Sequence, residues 1–276
     1  MMIKKTSLLS VFLVVAALIP STRVMAQQSD ADWMESCQND RGDWGRRDSI
    51  YCEVRTTTAR PSGDVSMEGL RNGGVSVTGW DRNEIVVKTR IRAKGRSMSD
   101  AKALAGQIRT VISGSTITVD GPRRYDDDDN QWSASLVASI PTRSNLRVET
   151  RNGPVSVTQV SGDLDLQTRN GPMALNDLAG NVKARTTNGP LSISLTGSKW
   201  NGSGLDARTT NGPLTISVPE NYSAHLETGT TNGPVSLGFP VTVSGRINRD
   251  ISTDLGSGGA TIRATTTNGP LTLRRK

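Results

Sequence analysis

The second half of this 276-residue chain alternates apolar and polar residues with a period of two, and the alternation restarts after each copy of one triplet. Asn-Gly-Pro begins at Asn152, Asn170, Asn188, Asn211, Asn232 and Asn268. The apolar pairs that follow are Val155 and Val157, Met173 and Leu175, Leu191 and Ile193, Leu214 and Ile216, Val235 and Leu237, and Leu271 and Leu273. A period of two marks a strand with one buried face. Threonine stands two places before every asparagine, at Thr150, Thr168, Thr186, Thr209, Thr230 and Thr266. The asparagines are 18, 18, 23, 21 and 36 residues apart, so the last interval, twice 18, predicts one degenerate unit around Asp250.

Within the clearest unit the pattern predicts a strand over residues 155–160, a turn at Ser161-Gly162-Asp163 and a second strand over residues 164–168. Proline cannot sit inside a ladder, and Asn and Gly tolerate the positive φ of a sharp bend, so the triplet marks a corner. An antiparallel meander with Asn-Gly hairpins is one arrangement that fits. Stacked coils fit better, because one triplet recurs per two strands and stacking would align Asn and Thr into ladders. The expected fold is all-β, a parallel β-helix-like β-solenoid of about 18-residue coils with one short helix in the N-terminal half.

The first half has a different texture. Arg71-Asn72-Gly73-Gly74-Val75-Ser76-Val77 matches the repeat with Gly74 in place of proline. Residues 84–92 alternate as a strand whose second face carries Lys88, Arg90 and Arg92, a basic face. Ser99 is placed to cap a helix running to Ile112, with Ala101, Leu104 and Ile108 on one side. Strands are expected over residues 115–120 and 132–140, separated by a charged loop containing Asp126 to Asp129. That loop is read as solvated, since clustered carboxylates need not converge on a calcium ion.

Composition changes the picture in three places. Lys4 and Lys5, the apolar run from Leu8 to Ile19 and the small-residue end at Ala26 predict a cleaved export signal over residues 1–26, too short in its apolar part for a membrane span. No transmembrane anchor is expected after cleavage, and removing Lys4, Lys5 and Arg23 lowers the formal charge from +7 to +4. Only 4% of residues are aromatic while 28 are glycine, which suits a thin aliphatic core between stacked sheets, and a repeat argues against disorder. In an exported chain the only two cysteines, Cys37 and Cys52, are expected to form a disulfide rather than a redox or metal site. The expected organisation is a signal (1–26), a disulfide-stapled extension (27–52), a β-rich part with one helix (53–145) and the Asn-Gly-Pro solenoid (146–276).

The segment Val75-Ser76-Val77-Thr78-Gly79-Trp80-Asp81, the short amphipathic helix and the serial Asn-Gly turns together resemble a bacterial family of exported β-solenoid proteins. The resemblance spans about residues 53–276. Members are labelled adhesins, without an established biochemical function, so it implies extracytoplasmic binding and supplies no catalytic motif.

The chemistry of the residues points the same way. Asp163 and Asp165 share one strand face and could serve a glycosidase, but alternation turns them to solvent and the next unit carries Lys183 and Arg185 there. His225 is the sole histidine, which excludes a His-rich metal site, and Ser223 lies on its own strand, where a triad cannot close. Threonine pairs such as Thr186-Thr187 could offer an ice-binding row, yet arginines interrupt it. Arg41-Gly42-Asp43 is a tripeptide that chance supplies. No catalytic residue, metal or cofactor is expected. The expected function is a non-enzymatic, adhesin-like binding or scaffolding protein of the cell envelope, in the periplasm, at the cell surface or secreted. Its repeated Ser/Thr/Arg face, with Arg151, Arg169, Arg185 and Arg208, would meet envelope polysaccharide, lipopolysaccharide or another envelope protein. Nucleic acid is not expected at so modest a charge without interleaved aromatics. A structural envelope protein without a ligand is the alternative, and a β-helix polysaccharide-active enzyme comes third.

Overall fold

The computed structural model describes residues 29–39, 49–122, 131–239 and 250–276. The expected signal, Arg41-Gly42-Asp43 and the aspartate run lie outside these residues. In chain order the N-terminal elements are α1 (Asp30–Asn39), β1 (Ser49–Ala59), β2 (Val65–Asn72), β3 (Val75–Trp80), β4 (Ile85–Gly95), α2 (Met98–Gly106), β5 (Arg109–Ser113), β6 (Thr116–Asp120) and β7 (Trp132–Pro141). The array follows as β8 (Leu146–Asn152), β9 (Val155–Thr158), β10 (Ser161–Asn170), β11 (Met173–Asn176), β12 (Ala179–Asn188), β13 (Leu191–Ser194), β14 (Gly204–Asn211) and β15 (Leu214–Val218). The chain closes with β16 (Ala224–Asn232), β17 (Val235–Leu237), β18 (Asp250–Leu255), β19 (Thr261–Asn268) and β20 (Leu271–Arg275).

The fold is mostly β, and the described strands form two open sheets rather than a closed barrel. The first runs β1-β4-β7-β3-β9-β11-β13-β15-β20-β17 and the second β18-β16-β19-β14-β12-β10-β8-β2-β6-β5. One apolar cluster draws on both, so the core is the layer between them. Its rows are aliphatic: Leu146, Leu164, Val182, Leu205, Ile262 and Leu226 align on the second sheet. Val157, Leu175, Ile193, Ile216 and Leu273 align on the first. All of them are buried, and each fully buried Val, Leu or Ile contributes about 1.5–3 kcal/mol. Pairing through the array is parallel, with Thr168 between Thr150 and Thr186 and Asn170 between Asn152 and Asn188. A meander would have paired antiparallel.

The corner triplet works differently from the sequence expectation. No corner asparagine has positive φ; among the described non-glycine residues only Gln159 and Asp177 do, at the opposite corner. Glycine is required because the stacked backbones touch. A Cβ on Gly171 would lie 2.2 Å from the carbonyl oxygen of Gly153, and one on Gly189 would lie 2.2 Å from that of Gly171.

Spatial order departs from chain order at both ends. β2 and β3 lie between β6/β7 and β8/β9, while β19 and β20 lie between β14/β15 and β16/β17. The chain therefore skips one layer after β15, builds the outer layer, and returns to fill the gap. The predicted degenerate unit around Asp250 is instead β18, which pairs antiparallel along β16 and covers that edge. The physical consequence is that the C-terminal strands have a neighbour on each side. Antiparallel strands occupy three of the four outer positions, as β1, β5 and β18, and such strands manage exposed edges.

The described residues of the N-terminal half form two helices, where one was expected. Cys37 and Cys52 form the expected disulfide, which ties α1 to β1. Asp30 on α1 pairs with Lys88 at 2.5 Å and Arg90 at 3.1 Å, and the Arg90 guanidinium lies 5.7 Å from the centre of the Trp33 ring. The basic face of β4 is thus covered by a helix rather than offered to a partner. Burial pushes the Asp30 carboxyl upward, but the hydrogen bonds and charges of Lys88 and Arg90 outweigh it and hold the pKa below the usual range. The second helix is capped by Ser97 in a box with Asp100 and ends at Gly106. Residues 109–113, expected within that helix, pair with β6 instead. Arg55 donates to the carbonyl oxygens of Ala105 at 3.0 Å and Ile108 at 2.5 Å, tying the turn after the helix to β1. No described helix is long and apolar enough to cross a membrane.

Candidate functional site

Each strand of the second sheet ends at the triplet corner, so residues at equal distance before the asparagine share a row across the stack. The asparagines themselves form a continuous ladder. Each Nδ2 donates to the next Oδ1 in the order Asn232, Asn268, Asn211, Asn188, Asn170, Asn152 and Asn72, at 2.7–2.9 Å. Two places earlier the buried threonines each donate to a glycine carbonyl of the adjoining layer: Thr168 to Gly153 at 3.0 Å, Thr186 to Gly171 at 3.0 Å and Thr209 to Gly189 at 2.9 Å. Both ladders were legible in the sequence once the units were aligned. Their role is to hold the corners in register.

The outer rows carry the surface chemistry. Five places before each asparagine stand, in spatial order, Glu227, Arg263, Asp206, Lys183, Asp165 and Arg147, so the sign alternates at every strand. Arg263 Nε donates to Glu227 at 2.6 Å, and Arg147 reaches Glu68 at 3.2 Å and Asp165 at 3.9 Å. Opposite charges on neighbouring strands stabilise and like charges destabilise. In chain order the two acids Asp206 and Glu227 would be adjacent; the insertion of β19 separates them with Arg263. Sequence reasoning missed this row, although aligning the units on asparagine would have exposed its charges.

The four arginines expected to form one stripe lie on this same outer face, in two rows. Arg151 and Arg169 are neighbours immediately before the ladder, and the exposed Thr187, Thr210, Thr267 and Thr231 continue that row. Arg185 and Arg208 are neighbours one row back. They are not equivalent. Arg208 binds Asp206 through two bonds of 2.8 and 3.0 Å, and that partner holds its pKa above the usual value. Arg151, Arg169 and Arg185 are exposed and have no carboxylate partner among the described residues.

A catalytic-looking group stands at the far edge. His225 Nδ1 is 2.7 Å from Asp254 Oδ1, and Ser252 Oγ is 3.3 Å from His225 Nε2. Ser223, the serine weighed from sequence, instead hydrogen-bonds Ser257. The three side chains of the group project from β16 and β18 onto the open outer face, and the Asp254 side chain is 66% exposed, unlike the buried orienting carboxylate of a serine protease. Glu227 also approaches Nε2, at 3.7 Å. Asp163 is exposed and Asp165 half-buried on that outer face, flanking the buried Leu164. The described residues contain no cluster of three or more His, Cys, Asp or Glu that could hold a metal.

A repeat-built, mostly β protein with a solenoid-like stack and a regular polar outer face is the class these features define. The chain belongs to the Toastrack DUF4097 family, whose model matches residues 54–274. A "putative cell adhesion protein" of Clostridium sporogenes is similar in structure, with TM-score 0.45 and 9% identity, covering 82% of this chain and all of its own. A "putative adhesin" of Bacteroides fragilis gives 0.38 and 9%, covering 81% of this chain and 97% of its own. A "putative lipid binding protein" of Parabacteroides distasonis gives 0.34 and 8%, covering 79% and 96%. Likenesses at this distance do not say what the chain binds. No curated protein sequence matches it.

Proposed function

We propose that this protein is an exported, non-enzymatic binding or scaffolding protein of the bacterial cell envelope. It is a flattened β-solenoid with a basic coil of about 18 residues, and its outer second-sheet face engages an extended envelope polymer. The observation that carries this reading is the row of exposed threonines and arginines beside the asparagine ladder, repeated at about 4.8 Å from strand to strand. A linear partner lying across the strands meets the same hydroxyl, amide and guanidinium groups many times, and weak contacts multiply along it. The Cys37–Cys52 disulfide fits an oxidising compartment.

The test is retention of the purified protein on immobilised envelope polysaccharide and lipopolysaccharide, compared with a Thr187→Glu/Thr210→Glu variant. Retention of the wild type and its loss in the variant is the expected result. A wild-type protein that passes unretained over every envelope fraction defeats the proposal and leaves a purely structural role.

A further inference from the structure

We propose that Arg151, Arg169 and Arg185 form an anion site for phosphomonoester groups carried on a saccharide chain. The inference rests on the binding face above and names the ligand chemistry of its basic end.

The motivation is an exception to a rule that the fold otherwise keeps. Across six adjacent strands, from Glu227 to Arg147, no two charges of one sign are neighbours. Arg208 beside Arg185 is neutralised by Asp206. Yet Arg169 stands beside Arg151. Arg185 projects one strand further along, one row back, on β12. Of the acids on β8 and β10, Glu149 turns to Arg147 at 3.5 Å, Asp165 accepts from Gln167 at 3.0 Å, and Asp163 stands six residues before Arg169 towards the other end of β10. Like charges in register cost stability. The same row is threonine on four other strands, so arginine is not what the stack itself needs there.

The chemistry selects among anions. Adjacent strands space the backbones that bear Arg151 and Arg169 about 4.8 Å apart, and each side chain ends in a planar fork of donors. A carboxylate has one charge and two oxygens, and one bidentate fork engages both of them. A phosphomonoester carries about −1.5 to −2 charge and three acceptor oxygens, enough for two forks at once. The saccharide part follows from what lies beside the arginines, namely Thr187 and Thr210 hydroxyls in the same row and the asparagine amides next to them. These are partners for sugar hydroxyls and offer no apolar surface for a lipid chain.

Three forms of one dextran decide the matter: phosphorylated, carboxymethylated to equal charge density, and unmodified. The wild type should bind the phosphorylated form about tenfold more tightly than the carboxymethylated one, with inorganic phosphate competing. Arg151→Ser/Arg169→Ser should lose that preference with a melting temperature equal to or above the wild type's, since two like charges in register are removed, and Arg208→Ser should keep the preference. Equal affinity for the two charged forms, or an undiminished preference in the double variant, overturns the phosphate site, as does failure to bind any dextran. Retention of the wild type on envelope polymers would still support the wider reading in each of those cases. Tighter binding to phosphatidylcholine vesicles containing phosphatidic acid than to phosphorylated dextran overturns the saccharide assignment.

Discussion

Replacing Gly171 by alanine tests the claim that the triplet glycine exists for close stacking. The added Cβ would meet the Gly153 oxygen at 2.2 Å and the Gly153 carbonyl carbon at 2.5 Å. Ordinary carbon–oxygen contact is about 3.4 Å, so the layers must separate locally by roughly 1 Å. Four bonds cross that junction: Gly153 N–H to Asn170 O at 2.9 Å, Val155 N–H to Pro172 O at 2.9 Å, Thr168 Oγ1 to Gly153 O at 3.0 Å and the Asn170–Asn152 amide pair at 2.8 Å. Losing two of them at about 1 kcal/mol each, with about 1–3 kcal/mol of overpacking strain, gives a destabilisation of about 3–5 kcal/mol. Urea denaturation followed by circular dichroism measures it. Gly106→Ala is the matched control, because nothing lies within 4 Å of a Cβ at the end of α2, and alanine there should be neutral or stabilising by up to about 1 kcal/mol. If Gly171→Ala costs less than about 1 kcal/mol, the close-contact account of the corner is wrong.

Other consequences can be checked independently. Cysteines at 210 and 267, on neighbouring strands only because β19 is inserted, should cross-link under mild oxidation, while cysteines at 210 and 231 should not; the reverse result would refute the spatial order. Asp30 and Glu53 both titrate below the usual carboxylate range, Glu53 chiefly through its hydrogen bond from Arg55. Their stabilisation is present above about pH 4 and is lost as pH falls through their lower folded-state values. Acid unfolding followed through Trp33 should therefore be less steep in Asp30→Asn, and an unchanged profile would count against the α1 contact. Ser252 should stay unlabelled by a fluorophosphonate probe, since Asp254 is too exposed to orient His225 rigidly; labelling abolished by Ser252→Ala would overturn the non-enzymatic proposal. Burial raises the Tyr222 pKa to about 12. Its ionisation should appear as a late phase of an ultraviolet titration that shifts to lower pH on unfolding, with stability falling from about pH 10 upward as the unfolded chain ionises first.

Much of the architecture was legible in the residues. The alternation after each triplet placed the strands of the array, and equal spacing predicted the asparagine and threonine ladders that the parallel register forms. The cysteine pair predicted its own bond. The helices were harder to read: α1 has a weak apolar stripe and owes its position to the disulfide and Asp30, both contacts distant in sequence. The end of α2 was misplaced because its apolar spacing continues into β5, and only the pairing of residues 109–113 with β6 shows that they leave the helix.

What the sequence determined alone is the unit: which residues face inward, where the corner falls, and which side chains repeat. These depend on local period and on the chemistry of single residues. Tertiary structure alone decided the order of the units, because their edges are nearly interchangeable and only contacts between distant segments choose among them. That choice set the pattern of the surface. Reading along the chain puts Asp206 next to Glu227; folding inserts Arg263 between them and restores alternating charge. Arg208 is held by Asp206 two places before it on the same strand, whereas Arg151, Arg169 and Arg185 have no carboxylate partner among the described residues. Which charges face one another across strands is set by proximity in space, which repeat spacing does not encode.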